Sequence, residues 1–398
     1  MKSKILLIVL LVSISFYSCS KDNTIQPVQQ VTKGVFVINE GLYLQNNSEI
    51  TFYDPSTDQT ITNFYSQKNG KIIGDNANSM FIFGDKGYVA VDGSNKIEII
   101  DLKDGSSLGI IDLGQNGSPR EIFILNSNRG FVTSFSKNSV IEFNPSTLSI
   151  TREIQVGQYP EGIAFANFKL FVANSDLGNG NTVSVIDLNT NSVVKTIQVG
   201  NNPRFAGISN DNRVIVGCSG DFFDAEGTGG YYFIDPVSLS VTDSILLKYH
   251  PQDYALTKDN FMFYINDKGV GKINLSSKSV DTVFIEGMAI NDIYGIAYSI
   301  AFDEINQRLY IGNPKNFTQN GEVKIFDRNG NYLKKFETKI NPGAIYFYRW
   351  EWFYFKLKES YFRFAKNQKQ MWRKRLMREI LQNEFSSKIR GEKWKELF

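Results

Sequence analysis

The sequence predicts an all-β chain folded as a seven-bladed β-propeller of four-stranded blades. Three observations carry this reading. The first is the stretch 158–200, which reads as four short strands: Gly162–Phe165, Lys169–Ala173, Thr182–Asp187 and Val193–Val199. Each run holds β-branched or aromatic residues and ends in Asn, Asp, Gly or Ser, as strands separated by tight turns do. Such a unit buries too little apolar surface to stand alone and needs copies stacked beside it. The second observation is that the copies exist. A third-strand mark, an aliphatic or aromatic residue followed by Asp or Asn, recurs at Tyr53-Asp54, Ile100-Asp101, Phe143-Asn144, Ile186-Asp187, Ile234-Asp235, Ile273-Asn274 and Phe326-Asp327. The steps between marks are 47, 43, 43, 48, 39 and 53 residues, the period of propeller blades. The third is a proline at the start of many units: Ser118-Pro119, Tyr159-Pro160, Asn202-Pro203, His250-Pro251 and Asn341-Pro342. Proline suits that place because no ladder donor is needed there.

The marks also assign local jobs. The Asp or Asn side chain accepts from the backbone two residues on and sets the turn into the fourth strand. Seven marks give seven blades. The chain enters the propeller at Gly34-Val35-Phe36-Val37, which matches a second strand with no first strand before it. A spare first strand, Asn341–Phe347, follows the seventh unit. Closure therefore places Ala344–Phe347 innermost in blade 1, which removes two open sheet edges. The propeller spans 34–347.

Leu170-Phe171-Val172-Ala173-Asn174 and Leu309-Tyr310-Ile311-Gly312-Asn313 resemble the signature strand of the YVTN-type β-propeller family. Val183–Asp187 with Thr196–Gly200 resembles its second half. The resemblance covers roughly residues 33–347 and specifies fold far better than function, because propellers host binders, lactone hydrolases and scaffolds alike.

Residues 1–18 read as a secretory signal peptide: Lys2 and Lys4 precede the apolar run Ile5–Val12, which is too short to span a bilayer. Phe16-Tyr17-Ser18-Cys19 resembles a bacterial lipobox, with aromatic residues where Leu and a small residue are usual, as in Bacteroidetes-type lipoproteins. Cys19 is then the lipidation site, and an acylated Cys19 is a membrane anchor. The other reading is an ordinary cleaved signal with an incidental cysteine. Residues 19–33 form a polar tether. The expected location is the outer membrane, on the cell surface or on its periplasmic side. Cys218, in the strand-like Val214–Cys218, reads as a small buried hydrophobe with no disulfide partner.

Composition changes at the end of the chain. All four tryptophans, Trp350, Trp352, Trp372 and Trp394, lie beyond Phe347. Residues 348–398 hold 14 Lys or Arg against 6 Asp or Glu, so the whole-chain charge of +2 combines a tail of +8 with a remainder of −6. The slightly basic total therefore gives no reason to expect a nucleic-acid partner. Two readings of this tail stand: a basic amphipathic helix that touches membrane or partner, or a segment foreign to the domain.

Standard catalytic constellations are missing. One histidine, His250, allows no paired-His metal site, and reads as a surface or turn residue beside the channel mouth. Gly227-Thr228-Gly229-Gly230 lacks the lysine and helix of a phosphate-cradling loop. Asp221, Asp224 and Glu226 read as a solvated loop before a calcium site. No cofactor or metal is expected, and the chain is expected to be monomeric.

What remains is a ring. The residue after each repeated proline, or its equivalent, is Asn78, Arg120, Glu161, Arg204, Gln252, Tyr298 and Gly343. The next position reads Ser79, Glu121, Gly162, Phe205, Asp253, Ser299 and Ala344. Innermost strands start at one face, so these side chains converge on the central channel. There they pair with each other or contact a polar ligand. Four long loops, 41–48, 174–181, 219–230 and 313–321, open on the same face and carry Leu42, Tyr43, Leu44, Leu177, Phe222, Phe223 and Phe317. Apolar tips over a polar ring describe a site for a small molecule or partner. The first function class is a non-enzymatic capture module. Within the resemblance it is similar to surface lipoproteins that capture cobalamin for a TonB-dependent outer-membrane transporter. The alternatives are a lactonase-like metal-dependent hydrolase and a surface structural or adhesion protein.

Overall fold

The computed structural model describes residues 31–221, 229–288, 292 and 295–349. All of them lie in one compact unit of the chain. The signal peptide, Cys19, most of the tether, Phe222, Phe223 and the tail beyond Arg349 fall outside the described residues.

Seven four-stranded antiparallel sheets form the structure. Blade 4 shows the pattern. Its strands are Pro160–Ala166, Lys169–Asn174, Thr182–Asp187 and Ser192–Gln198, in spatial order from the channel outward. The repeated Asp or Asn makes the same bond in all seven blades. Asp54, Asp101, Asn144, Asp187, Asp235, Asn274 and Asp327 each accept from the backbone N–H two residues on, at 2.8–3.0 Å. The bond is local, between residues two apart, and sets the hairpin turn without any distant contact. A second polar clamp sits at the opposite end. Asn39, Asn174 and Asn313 close the second strands of blades 1, 4 and 7 and donate to the facing third strand, to Thr51, Ser184 and Glu322.

Alternation of side chains builds the core between blades. In the strand Thr32–Asn39, Val35 and Val37 face blade 7, where they meet Tyr310, Val323 and Ile325. Phe36 and Ile38 face the other way, onto Met80, Val89 and Val91 of blade 2. Among the described residues there are seven such buried clusters, one at each junction between neighbouring blades. Seven junctions for seven blades is a closed ring.

Closure follows the expected route with moved limits. The final strand, Pro342–Arg349, is innermost in blade 1 and pairs Ala344 with Ile38, Ile345 with Val37, Tyr346 with Phe36 and Phe347 with Val35. It runs two residues past Phe347. Tyr348 is buried and its hydroxyl donates to Asp85 at 2.6 Å, while Arg349 reaches the fully buried Asp303 at 3.2 Å. The pairing also begins earlier than expected, at Thr32, whose hydroxyl donates to the same Asp303 at 2.9 Å. The segment placed in the tail at 348–349 thus belongs to the propeller, because burial and two polar bonds hold it there.

One element had no sequence signal. A short helix, Phe64–Asn69, follows the three-residue outer strand of blade 1, Gln59–Ile61. Phe64 and Tyr65 are buried, and the Glu49 carboxylate accepts from the backbone N–H groups of Tyr65 and Ser66. That satisfies donors a helix start leaves open. Gly70, at φ 64°, ends it in the left-handed conformation.

Candidate functional site

The innermost strands start at one end of the channel, and the residues before them turn the chain inward. Asn76, Ser118, Tyr159, Asn202 and Asn341 all have φ between 38° and 55° there. Hydroxyls then stitch neighbouring blades together just inside the mouth. Ser79 donates to the Arg120 carbonyl at 2.5 Å, Thr133 to Glu161 at 2.7 Å, Ser219 to Pro251 at 2.7 Å and Ser299 to Pro342 at 2.6 Å. Ser299 was expected to face the channel. It turns to blade 1 instead, where its hydroxyl is spent on the Pro342 carbonyl.

A cavity of about 410 Å³ occupies this end of the channel. All seven ring positions, Asn78, Arg120, Glu161, Arg204, Gln252, Tyr298 and Gly343, line it. So do Ser79, Glu121, Gly162, Phe205, Asp253 and Ala344 from the next layer. Deeper walls come from Tyr254, Ile300, Ile345 and Tyr346.

Charge is arranged unevenly within it. Glu161 lies between two guanidinium groups, 3.8 Å from Arg120 Nε and 4.0 Å from Arg204 Nε. These are ion pairs without hydrogen bonds. Arg120 also approaches Asp92 at 3.4 Å and lies over the Phe135 ring, 4.3 Å from its centroid. Its Nε is buried and has no hydrogen-bond partner. Arg204 is 40% exposed and lies over Phe205. Burial raises the Glu161 carboxyl above its ordinary pKa, opposed by both arginines. Asp253 accepts from the backbone N–H groups of Tyr254 at 2.8 Å and Ile300 at 2.9 Å, yet burial pushes it up to about 7. Glu121 is pushed up to about 8 by burial and by the charges of Asp253 and Glu161.

The seventh ring position is a glycine for a steric reason. A Cβ on Gly343 would stand 2.2 Å from Glu40 Oε1. Glu40 fills that place and accepts from the Tyr298 hydroxyl at 2.7 Å. The ring therefore functions as six residues plus Glu40.

The match to known sequences covers the whole propeller. Residues 33–351 match the model of the family described as a domain of unknown function, DUF5074. The chain belongs to this family. No curated protein matches it. Among solved structures, the DUF5074 chain is similar to a quinoprotein alcohol dehydrogenase-like protein from Bacteroides thetaiotaomicron, with 15% identity over 80% of this chain and 79% of that one and a TM-score of 0.62. A hydrazine synthase chain from Kuenenia stuttgartiensis gives 17% identity, 65% and 85% coverage and a TM-score of 0.56. A streptogramin B lyase gives 11%, 68% and 89%, and 0.52. Likeness at these identities concerns the fold alone.

The loop residues distribute differently from the ring. Phe317 packs edge-on against Tyr298, with ring centroids 5.5 Å apart. Tyr43 is 69% exposed and outside the cavity wall. Its loop leans to blade 2, where Asp75 accepts from the Leu44 N–H at 2.9 Å. Leu177 is exposed at the corresponding tip of blade 4. His250 is buried rather than on the surface. Its Nδ1 lies 2.6 Å from Asp267 and its Nε2 2.8 Å from the Asp221 carbonyl, so both ring nitrogens tie blade 6 to the start of the 219–230 loop. Cys218 is fully buried in Val214–Cys218, and burial pushes its thiol pKa up. Among the described residues no three His, Cys, Asp or Glu side chains converge as metal ligands.

Sequence reasoning missed Glu40, Asp92 and Phe135 in the DUF5074 site. Each is the first residue after a second strand, those ending at Asn39, Val91 and Ser134. The same position holds Ser175, Ser219 and Asp267, which bond to Tyr159, Pro251 and His250. Aligning that position as the first-strand starts were aligned would have exposed a second ring.

Proposed function

We propose that this protein is a non-enzymatic binding module that captures a small polar molecule in the mouth of its propeller channel. In this reading it is exported, held at the outer membrane by lipid on Cys19, and carries its ligand for delivery to an outer-membrane transporter. The observation that carries the reading is the spacing of Glu161 from Arg120 and Arg204, at 3.8 and 4.0 Å. The guanidinium donors line the cavity without being spent on the carboxylate between them. A ligand oxygen entering there gains charge-assisted hydrogen bonds worth about 1.5–3 kcal/mol each. A cavity of about 410 Å³ lies in the range of small-molecule sites. A cargo of cobalamin size, which the family resemblance suggests, would place one arm in the cavity and its bulk over the loops. The exposed tips Tyr43, Leu44 and Leu177 would then contact that bulk or the transporter.

Native mass spectrometry of protein purified gently from its own cells tests this. A bound small molecule is expected on the wild type and is lost from Arg204→Ala. Metal-dependent lactone turnover by the purified protein would replace the reading with the hydrolase alternative. Cell fractionation tests the anchor: Cys19→Ala should release the protein from membranes, and membrane association that persists at high salt would contradict lipidation.

A further inference from the structure

The cavity holds more acid than base. Four carboxyl groups line it, from Glu40, Glu121, Glu161 and Asp253, against the two guanidinium groups of Arg120 and Arg204. Glu40 is bonded to Tyr298, and Glu161 sits between the arginines. Asp253 has one backbone donor on each oxygen. Glu121 has no hydrogen-bond partner on its carboxyl among the described residues, although it lines the cavity. A carboxyl with no protein donor that opens into a walled cavity is free to accept from a donor that enters it. The nearby walls include the rings of Phe205, Tyr254 and Tyr346. Carboxylates beside aromatic faces are the chemistry that receives an organic ammonium group.

We propose that the lower cavity binds an organic ammonium cation, whose N–H groups complete Glu121 and Asp253 and whose carbon body packs on the aromatic walls. This rests on the capture reading and names the chemical class of what is captured. A ligand that also carries an anionic or carbonyl oxygen would set that end on Arg120 and Arg204 at the rim.

The arrangement couples binding to protons. Glu121, from blade 3, faces Glu161 of blade 4, Asp253 and Tyr254 of blade 6 and Tyr346 of blade 1, with Arg204 adding its charge to Asp253. With the cavity free of a cation, burial favours the protonated acids and pushes these two carboxyls up to about 8 and about 7, with the charges of Asp253 and Glu161 adding to the shift at Glu121. A bound cation favours the ionised forms instead and displaces the protons. Ammonium binding should therefore release protons near neutral pH and strengthen as pH rises.

Calorimetry of the whole protein with phenethylammonium and 1,4-diaminobutane tests this, with benzoate as the opposite-charge probe and calcium as the inorganic one. Both amines keep their charge to about pH 9. The expected result is amine affinity at least about tenfold tighter near pH 9 than near pH 6, with proton release scaling with buffer ionisation enthalpy. Glu121→Gln, which mimics the protonated acid, should weaken binding about tenfold and flatten the pH dependence. Glu153→Gln on the exposed outer strand of blade 3 should change neither. Normal melting of Glu121→Gln separates loss of site from loss of fold, and Asp253→Asn serves if Glu121→Gln does not fold. Benzoate binding with no amine binding overturns the ammonium assignment and leaves the capture reading standing. Calcium binding that Glu121→Gln abolishes, or amine affinity independent of pH, also overturns it.

Discussion

The Tyr298 hydroxyl donates a 2.7 Å hydrogen bond to the Glu40 carboxylate, and this bond joins blade 7 to blade 1 inside the channel. It is possible because Gly343 leaves the space that Glu40 occupies. Burial raises the Glu40 carboxyl above its usual range, and the Tyr298 hydrogen bond works against that shift. Tyr298→Phe removes the donor and leaves an enclosed acceptor unpaired, a change costing about 1–3 kcal/mol. Gly343→Ala should break the same bond by displacing Glu40. The two losses should not add in the double variant, and urea unfolding measures this. Full additivity would show that Gly343 acts elsewhere.

Closure gives a graded truncation series. A chain ending after Arg349 keeps both the Tyr348–Asp85 and Arg349–Asp303 bonds. Ending after Phe347 removes both and leaves buried Asp303 with Thr32 and Asn306 as side-chain partners. Ending after Ile340 removes the innermost strand of blade 1 altogether. Melting temperatures should fall in that order, modestly for the second and with insolubility for the third. Equal behaviour of the first two would mean that Tyr348 and Arg349 contribute nothing to closure.

The propeller was legible because its marks are local. An Asp at the end of a third strand sets its own turn, so Asp54 and Asp327 declare blades from sequence alone. The ring positions were legible for a related reason: strand starts share one face, and Arg120, Glu161, Arg204 and Asp253 do meet in one cavity. What they do there was not legible. Whether Glu161 spends its charge on Arg120 depends on side-chain reach across two blades. Glu40 enters only because a glycine 303 residues away in sequence makes room. His250 is buried by Asp267, a contact no periodicity encodes. The helix Phe64–Asn69 owes its start to Glu49, on a different strand.

Stability should depend on pH through Glu121 and Asp253. Both carboxyls have folded-state pKa values raised above their ordinary ones, to about 8 and about 7. The protonated acids favour the fold at pH below the unfolded values, and that contribution is lost as pH rises through the folded ones. The melting temperature of ligand-free protein should therefore fall between about pH 5 and pH 9. Glu121→Gln should fall less over the same range. A wild-type curve that rises there would show that the channel acids are ionised at no cost.

His250 supports structure and carries no assigned chemistry. Its ring joins Asp267 to the Asp221 carbonyl. His250→Ala should lower stability by about 1–3 kcal/mol while ligand affinity changes little. Unchanged stability with abolished binding would place the histidine in the site.

Ligand binding by this protein is expected at the channel mouth. A crystal structure of the protein with the molecule that accompanies it through purification tests that most directly. The ligand is expected inside the cavity, bonded to Arg204 or Arg120 at the rim and to Glu121 below. A ligand resting on the outer strands or the opposite face of the propeller, with the cavity left to water, would contradict it.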